Sequence, residues 1–140
     1  MSIKQPDNRL GAPRAGGYFM EAPSVEEIRH YTRELSFEER FSVISQGFHR
    51  GVSVVHCYSL EEFAMALGKR EDSDPTGVIR SLEWDSFLPW IRDVIGDREF
   101  YRTVEKILEN SSSPEEIIET LRVMFFVRMG QYKEVLAESA

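Results

Sequence analysis

The sequence predicts an all-α fold, a compact orthogonal or bundle-like array of about six to seven helices with one short extended segment near 52–57. Two observations predict it. Ser-x-Glu-Glu is written four times, at Ser24–Glu27, Ser36–Glu39, Ser59–Glu62 and Ser113–Glu116. In each, the serine can accept from the backbone N–H three residues on while the second glutamate reaches back. The acidic pair also meets the positive end of the helix dipole. Behind each motif, apolar residues recur at helical spacing. The intervals between motifs are unequal, so they are caps and not units of a repeat.

Residues 1–22 are punctuated by Gly and Pro and read as a flexible tail, with 23–140 a single helical domain. Within the tail, Tyr18, Phe19 and Met20 form one apolar cluster, which either tucks against the domain or docks on another chain. A first helix over 25–35 turns Val25, Ile28, Thr32 and Leu35 inward. A second, over 37–49, places Phe37, Phe41, Ile44 and Phe48 on one stripe. Gly51–Tyr58 is β-branched but has no evident partner strand, so it reads as an extended connector.

A third helix, 60–67, carries Leu60, Phe63, Ala64 and Leu67 and stops at Gly68. After a charged loop, Asp74-Pro75 opens a short helix with Val78, Ile79 and Leu82. Asp85 or Ser86 caps the next, which turns Phe87, Trp90, Ile91, Val94 and Ile95 inward and ends at Gly96. Asp97 caps a helix with Phe100, Val104, Ile107 and Leu108 on one face. The last long helix, 114–129, has so little polar face after Ile117 that it reads as the centre of the bundle.

The ending Phe126-Val-Arg-Met-Gly130-Gln-Tyr132-Lys-Glu134-Val-Leu136 resembles the helix-turn-helix junction of tetratricopeptide repeats. There a glycine closes one helix and an aromatic two residues later packs the turn. The resemblance covers about eleven residues and has no second copy, so it implies a generic helical hairpin turning at Gly130.

Length and composition suit one domain of 140 residues with an adequate core. A net charge of −7 disfavours nucleic acid and anionic membrane surfaces as partners. No stretch approaches the roughly 20 apolar residues of a membrane span. The N-terminus lacks the apolar run of a signal peptide, and the single cysteine, Cys57, has no internal partner, which together point to the cytoplasm.

Chemistry-bearing patterns are sparse. Glu27 and His30 have the Glu-x-x-His spacing of a di-iron helix, but no second pair accompanies them and Glu27 serves as a cap. His56 and Cys57 are adjacent in an extended segment, so they point to opposite faces. A Cys–His catalytic pair would need His30 or His49 brought close. Gly11, Gly16 and Gly17 do not form a phosphate loop. No catalytic residue, cofactor or metal is therefore assigned.

Trp84 and Trp90 lie six residues apart and cannot share a helix face, so one belongs to the core and the other nearer the surface. Tyr18, Phe19, Met20, Trp84 and Trp90 are the candidate partner-binding residues. The expected function is a non-enzymatic protein–protein interaction module, an accessory or regulatory subunit that binds another protein or itself. Two alternatives stand beside it. One is a helix-turn-helix DNA-binding regulator built on residues 24–35 and 36–49 with Arg40, His49 and Arg50. The other is a small enzyme using Cys57 and the histidines.

Overall fold

A computed structural model describes residues 18–47, 51–69 and 77–139. Three of the four Ser-x-Glu-Glu motifs open α-helices there. For α1, Val25–Tyr31, Ser24 Oγ accepts from the Glu27 N–H (3.2 Å) and Glu27 Oε1 accepts from the Ser24 N–H (2.9 Å). For α2, Leu60–Gly68, Ser59 Oγ accepts from Glu62, whose carboxylate reaches one residue further back, to the Tyr58 N–H (2.7 Å). Ser113 caps α5, Pro114–Glu138, in the same way, with Pro114 in the first turn. Helix α3, Trp84–Pro89, continues into a π-turn over Trp90–Ile95 and ends at Gly96, whose φ of +94° only glycine adopts without strain. Asp97 caps α4, Arg98–Asn110.

The all-α expectation fails at residues 37–57. The fold is mixed: five α-helices and a two-stranded antiparallel sheet among the described residues, in place of six to seven helices alone. The Ser36 motif winds only a 3₁₀ turn, Phe37–Glu39, and Arg40 leaves it with extended dihedrals. Strand β1, Phe41–Gly47, then pairs with β2, Gly51–Cys57, from Phe41↔Cys57 to Gly47↔Gly51. Phe41, Val43 and Ser45 are buried while Ser42, Ile44 and Gln46 are exposed, a period of two that the helical stripe had masked. Phe41, Ile44 and Phe48 fit a helical period while Phe41 and Val43 fit a strand period; β-branched Val43-Ile44 and a partner strand in 51–57 decide between them. A cap is worth about 1 kcal/mol, too little to hold a helix against seven residues of ladder.

Three further expectations are corrected. Residues 77–83 are not helical: Val78 pairs with Gln46 through two backbone hydrogen bonds (2.9 and 3.0 Å) on the β1 side of the sheet. Gly77 has φ +117° there, and a Cβ on it would lie 3.0 Å from the Gln46 carbonyl carbon. Asp74-Pro75 falls outside the described residues, as do Phe48, His49, Arg50 and residues 1–17 of the tail. The hairpin turn at Gly130 does not form either, and α5 runs through it without a break. Helix α1 stops at Tyr31, short of residue 35, where Thr32 Oγ1 and Arg33 Nη1 donate to the carbonyls of Ile28 and His30 (both 2.7 Å).

An aromatic cluster binds the sheet to the helices. Phe41 of β1 meets Phe63 of α2 (ring centroids 5.6 Å), Phe87 of α3 (5.5 Å) and Trp90 (5.1 Å), and Phe125 of α5 meets Phe63 (5.3 Å) and Phe100 of α4 (4.7 Å). The inner face of the sheet is thus fixed, and its other face is turned to solvent.

Candidate functional site

The five candidate partner-binding residues divide by burial. Trp90 is core, its indole N–H donating to the Glu39 carbonyl (2.8 Å), while Trp84 is half-buried against Phe87. Tyr18 and Met20 are buried and Phe19 is 67% exposed. Backbone contacts explain why the segment lies down. Gln131 Nε2 donates to the Met20 carbonyl (2.8 Å), Arg128 Nη1 to the Glu21 carbonyl (2.9 Å), and the Glu21 N–H to Glu99 (3.0 Å).

Beneath that segment lies a cleft of about 310 Å³ whose lining includes Glu27, Tyr31, Asp97, Arg102 and Arg128. Its two buried charges, Asp97 and Arg128, answer one another. Asp97 Oδ1 accepts from Arg128 Nη2 (2.9 Å) and the Phe100 N–H (3.1 Å), and Oδ2 accepts from Arg128 Nε (2.9 Å) and the Tyr132 hydroxyl. With four donors, the carboxylate has its capacity filled. Burial, then the Asp97 charge, pushes the Tyr132 hydroxyl well above its usual range, and Tyr31 is raised for the same two reasons. Both phenols stay protonated at neutral pH. The cluster ties α4 to α5. Sequence reasoning took Asp97 only as a cap and gave Arg128 no role of its own. The available signal was an arginine on the buried side of a helix, four residues before a tyrosine.

Cys57 sits on the inner face of β2, and burial first, with Glu62 adding to it, pushes its thiol up to about 11. His56 points the other way, its Nδ1 2.7 Å from Ser42 Oγ. His30 lies by Arg33 on the exposed side of α1. Among the described residues no group of three His, Cys, Asp or Glu is placed to hold a metal ion. No helix among them is long and apolar enough to cross a membrane.

The most distinctive surface is one that sequence reasoning missed, the outer edge and face of β2. Its polarity follows from the ladder. Gln46 spends its N–H and C=O on Val78, so Gln46↔Val52 is a non-hydrogen-bonded pair of the hairpin. Alternation then aims the backbone groups of Val52, Val54 and His56 away from β1. Beyond the strand's end, Tyr58 follows the same parity, and its carbonyl accepts from the Leu35 N–H (2.7 Å). Among the described residues no other backbone hydrogen bond reaches this edge.

The side chains of the same residues cover the outer face. Val52 and Val54 are 64% and 57% exposed, and Ile44, directly across from Val54, is 53% exposed. No residue of Gly51–Cys57 is charged and none is proline, and seven pairs run without a bulge. Natural edges are usually blunted by such devices. The signal in the sequence is the uncharged β-branched run itself, whose partner strand is hidden behind the helical spacing of Phe41, Ile44 and Phe48.

Comparison with protein-family models, curated proteins and solved structures gives no match.

Proposed function

We propose that the protein is a non-enzymatic protein–protein interaction module, an accessory or regulatory subunit, that takes an extended segment of a partner onto the outer edge of β2. The observation that carries the reading is the coincidence at Val52, Val54 and His56 of outward backbone donors and acceptors with exposed apolar neighbours. Strand addition draws affinity from main-chain hydrogen bonds and specificity from alternate side chains. The fitting partner is an uncharged, β-branched strand whose apolar side chains extend the Ile44–Val54 row. The buried, protonated Cys57 thiol suits a reducing compartment, and the cytoplasm is the proposed location.

Two observations weigh against the alternatives. The helix that would enter a DNA groove is strand β1, and Cys57 faces away from His56 with a thiol protonated at neutral pH.

The test uses the full chain as bait in native extract, wild type beside Val54→Pro. Proline removes one outward N–H and leaves the β1 ladder whole. The expected result is a specific partner retained by wild type and lost by Val54→Pro at unchanged helical content. A partner held equally by both proteins, or no specific partner, overturns the reading.

A further inference from the structure

A second surface lies on α5 and is independent of the sheet. Glu119, Val123, Phe126, Gly130, Lys133 and Ala137 are all exposed. Their spacings alternate four and three, which is the seam of a helix prepared for another helix. Phe126 stands at its centre at 81% exposure, the most solvent-exposed large apolar side chain among the described residues. An added Cβ at Gly130 would meet nothing within 4 Å, so the surface is open beside Phe126.

From this pattern we infer that α5 pairs with α5 of a second copy, antiparallel, about a two-fold axis at Phe126. The occupant is set by charge. With the axis at residue 126, position 119 faces 133 of the second copy, so Glu119 meets Lys133 twice, once at each end. A parallel pairing would set Glu119 against Glu119 and Lys133 against Lys133. In the antiparallel pairing Phe126 meets its own copy, and Val123 falls opposite Met129, one position from Gly130, where the missing side chain lets the backbones approach. Glu119 also pairs with Arg122 of its own helix (3.2 Å), whose other donors turn inward to the carbonyls of Leu67 and Ile79. Glu119 keeps 51% of its side chain exposed, on the face turned to the second copy. The contact is one helix pair, smaller than the roughly 1,200 Å² of a standard stable interface, so association is concentration-dependent.

Sedimentation velocity of the full chain over a hundredfold concentration range tests it. Wild type is expected to pass from monomer to dimer. Phe126→Arg is expected to stay monomeric with unchanged helical content, since the side chain supports nothing in the monomer. Glu119→Lys or Lys133→Glu alone is expected to weaken the dimer about tenfold by creating two like-charge contacts, and the double swap to restore it. Phe126→Cys is expected to form an intermolecular disulfide on oxidation, because the two-fold brings that position onto itself, whereas Cys57 is buried. A chain monomeric throughout overturns the inference. So does a dimer that survives Phe126→Arg, or one abolished by Val54→Pro instead, which would move self-association to the sheet edge.

Discussion

Asparagine at position 97 would keep the size of the side chain and remove its charge. The cap on α4 survives, because the amide oxygen can still accept from the Phe100 N–H, now 3.1 Å from Oδ1. What fails is the other half of the carboxylate. Arg128 donates twice to Asp97, at 2.9 Å each, and the two side chains are only 2% and 1% exposed. In the variant an amide NH₂ faces either the guanidinium or the Tyr132 hydroxyl, and the cation loses its counter-charge in a place water does not reach. Breaking a buried pair in this way costs about 3–5 kcal/mol. Set against a typical total of about 5–15 kcal/mol, that is about a fifth or more of the stability of a small domain. Urea unfolding followed by far-ultraviolet circular dichroism measures it, as a lower midpoint at unchanged slope. A second change sharpens the cause. Arg128→Met in the Asp97→Asn background removes the stranded cation, and it is expected to recover most of the loss. A cost below about 1 kcal/mol for Asp97→Asn, or no recovery in the double variant, would refute the assignment of Asp97 and Arg128 as a mutually compensating buried pair.

Other expectations follow from the same geometry. Gly130→Ala is expected to raise stability by about 1 kcal/mol, because the position is a solvent-exposed helix interior with room for a methyl group; a loss would mean that the helix breaks there. Val55→Pro, which takes a donor from the β1 ladder, is expected to cost about 3 kcal/mol or more, and Val54→Pro about 1 kcal/mol or less, in paired denaturant titrations. Equal costs would remove the distinction between the two edges of β2. The Cys57 thiol is protonated in both states below its ordinary value of 9.0; above that the unfolded chain releases the proton while the folded chain holds it to about 11. Stability should therefore fall as pH rises from about 9 to 11, by about 2–3 kcal/mol. Cys57→Ala should remove the fall between about pH 9 and 10, below the range where the raised Tyr31 and Tyr132 hydroxyls add their own, and an unaltered slope there would count against a buried protonated thiol.

Much of the helical framework was legible because it is written locally. A cap and its helix lie within four residues of one another, so Ser24, Ser59, Asp97 and Ser113 could each be read in place, as could Gly96 as a terminator. The sheet was not legible in the same way. Phe41, Ile44 and Phe48 satisfy a helical period while Phe41 and Val43 satisfy a strand period, and the Ser36 motif in front of them tips a local reading toward helix. The decision comes from pairing with residues 51–57, which is contact at a distance in sequence. Gly130 misled for the complementary reason: it looks like a helix stop, yet Arg128 and Tyr132 on either side of it are both anchored on Asp97 and keep α5 straight across it. The candidate site shared the fate of the sheet. Val52 and Val54 could be seen as β-branched, but their exposure, and the direction of their backbone groups, depend on which strand lies beside them and on Val78 occupying the opposite edge.

The openness of that edge can be read amide by amide. Hydrogen exchange of the isolated chain, followed by nuclear magnetic resonance at a concentration where it is monomeric, should give an alternating pattern along β2. The amides of Val52, Val54 and His56 are expected to exchange rapidly, and those of Ser53, Val55 and Cys57 to be protected by β1. Addition of the partner captured by wild type should then protect the first three and leave the second three as they were. Uniform protection of all six amides in the monomer would contradict the account, because the edge would already be taken.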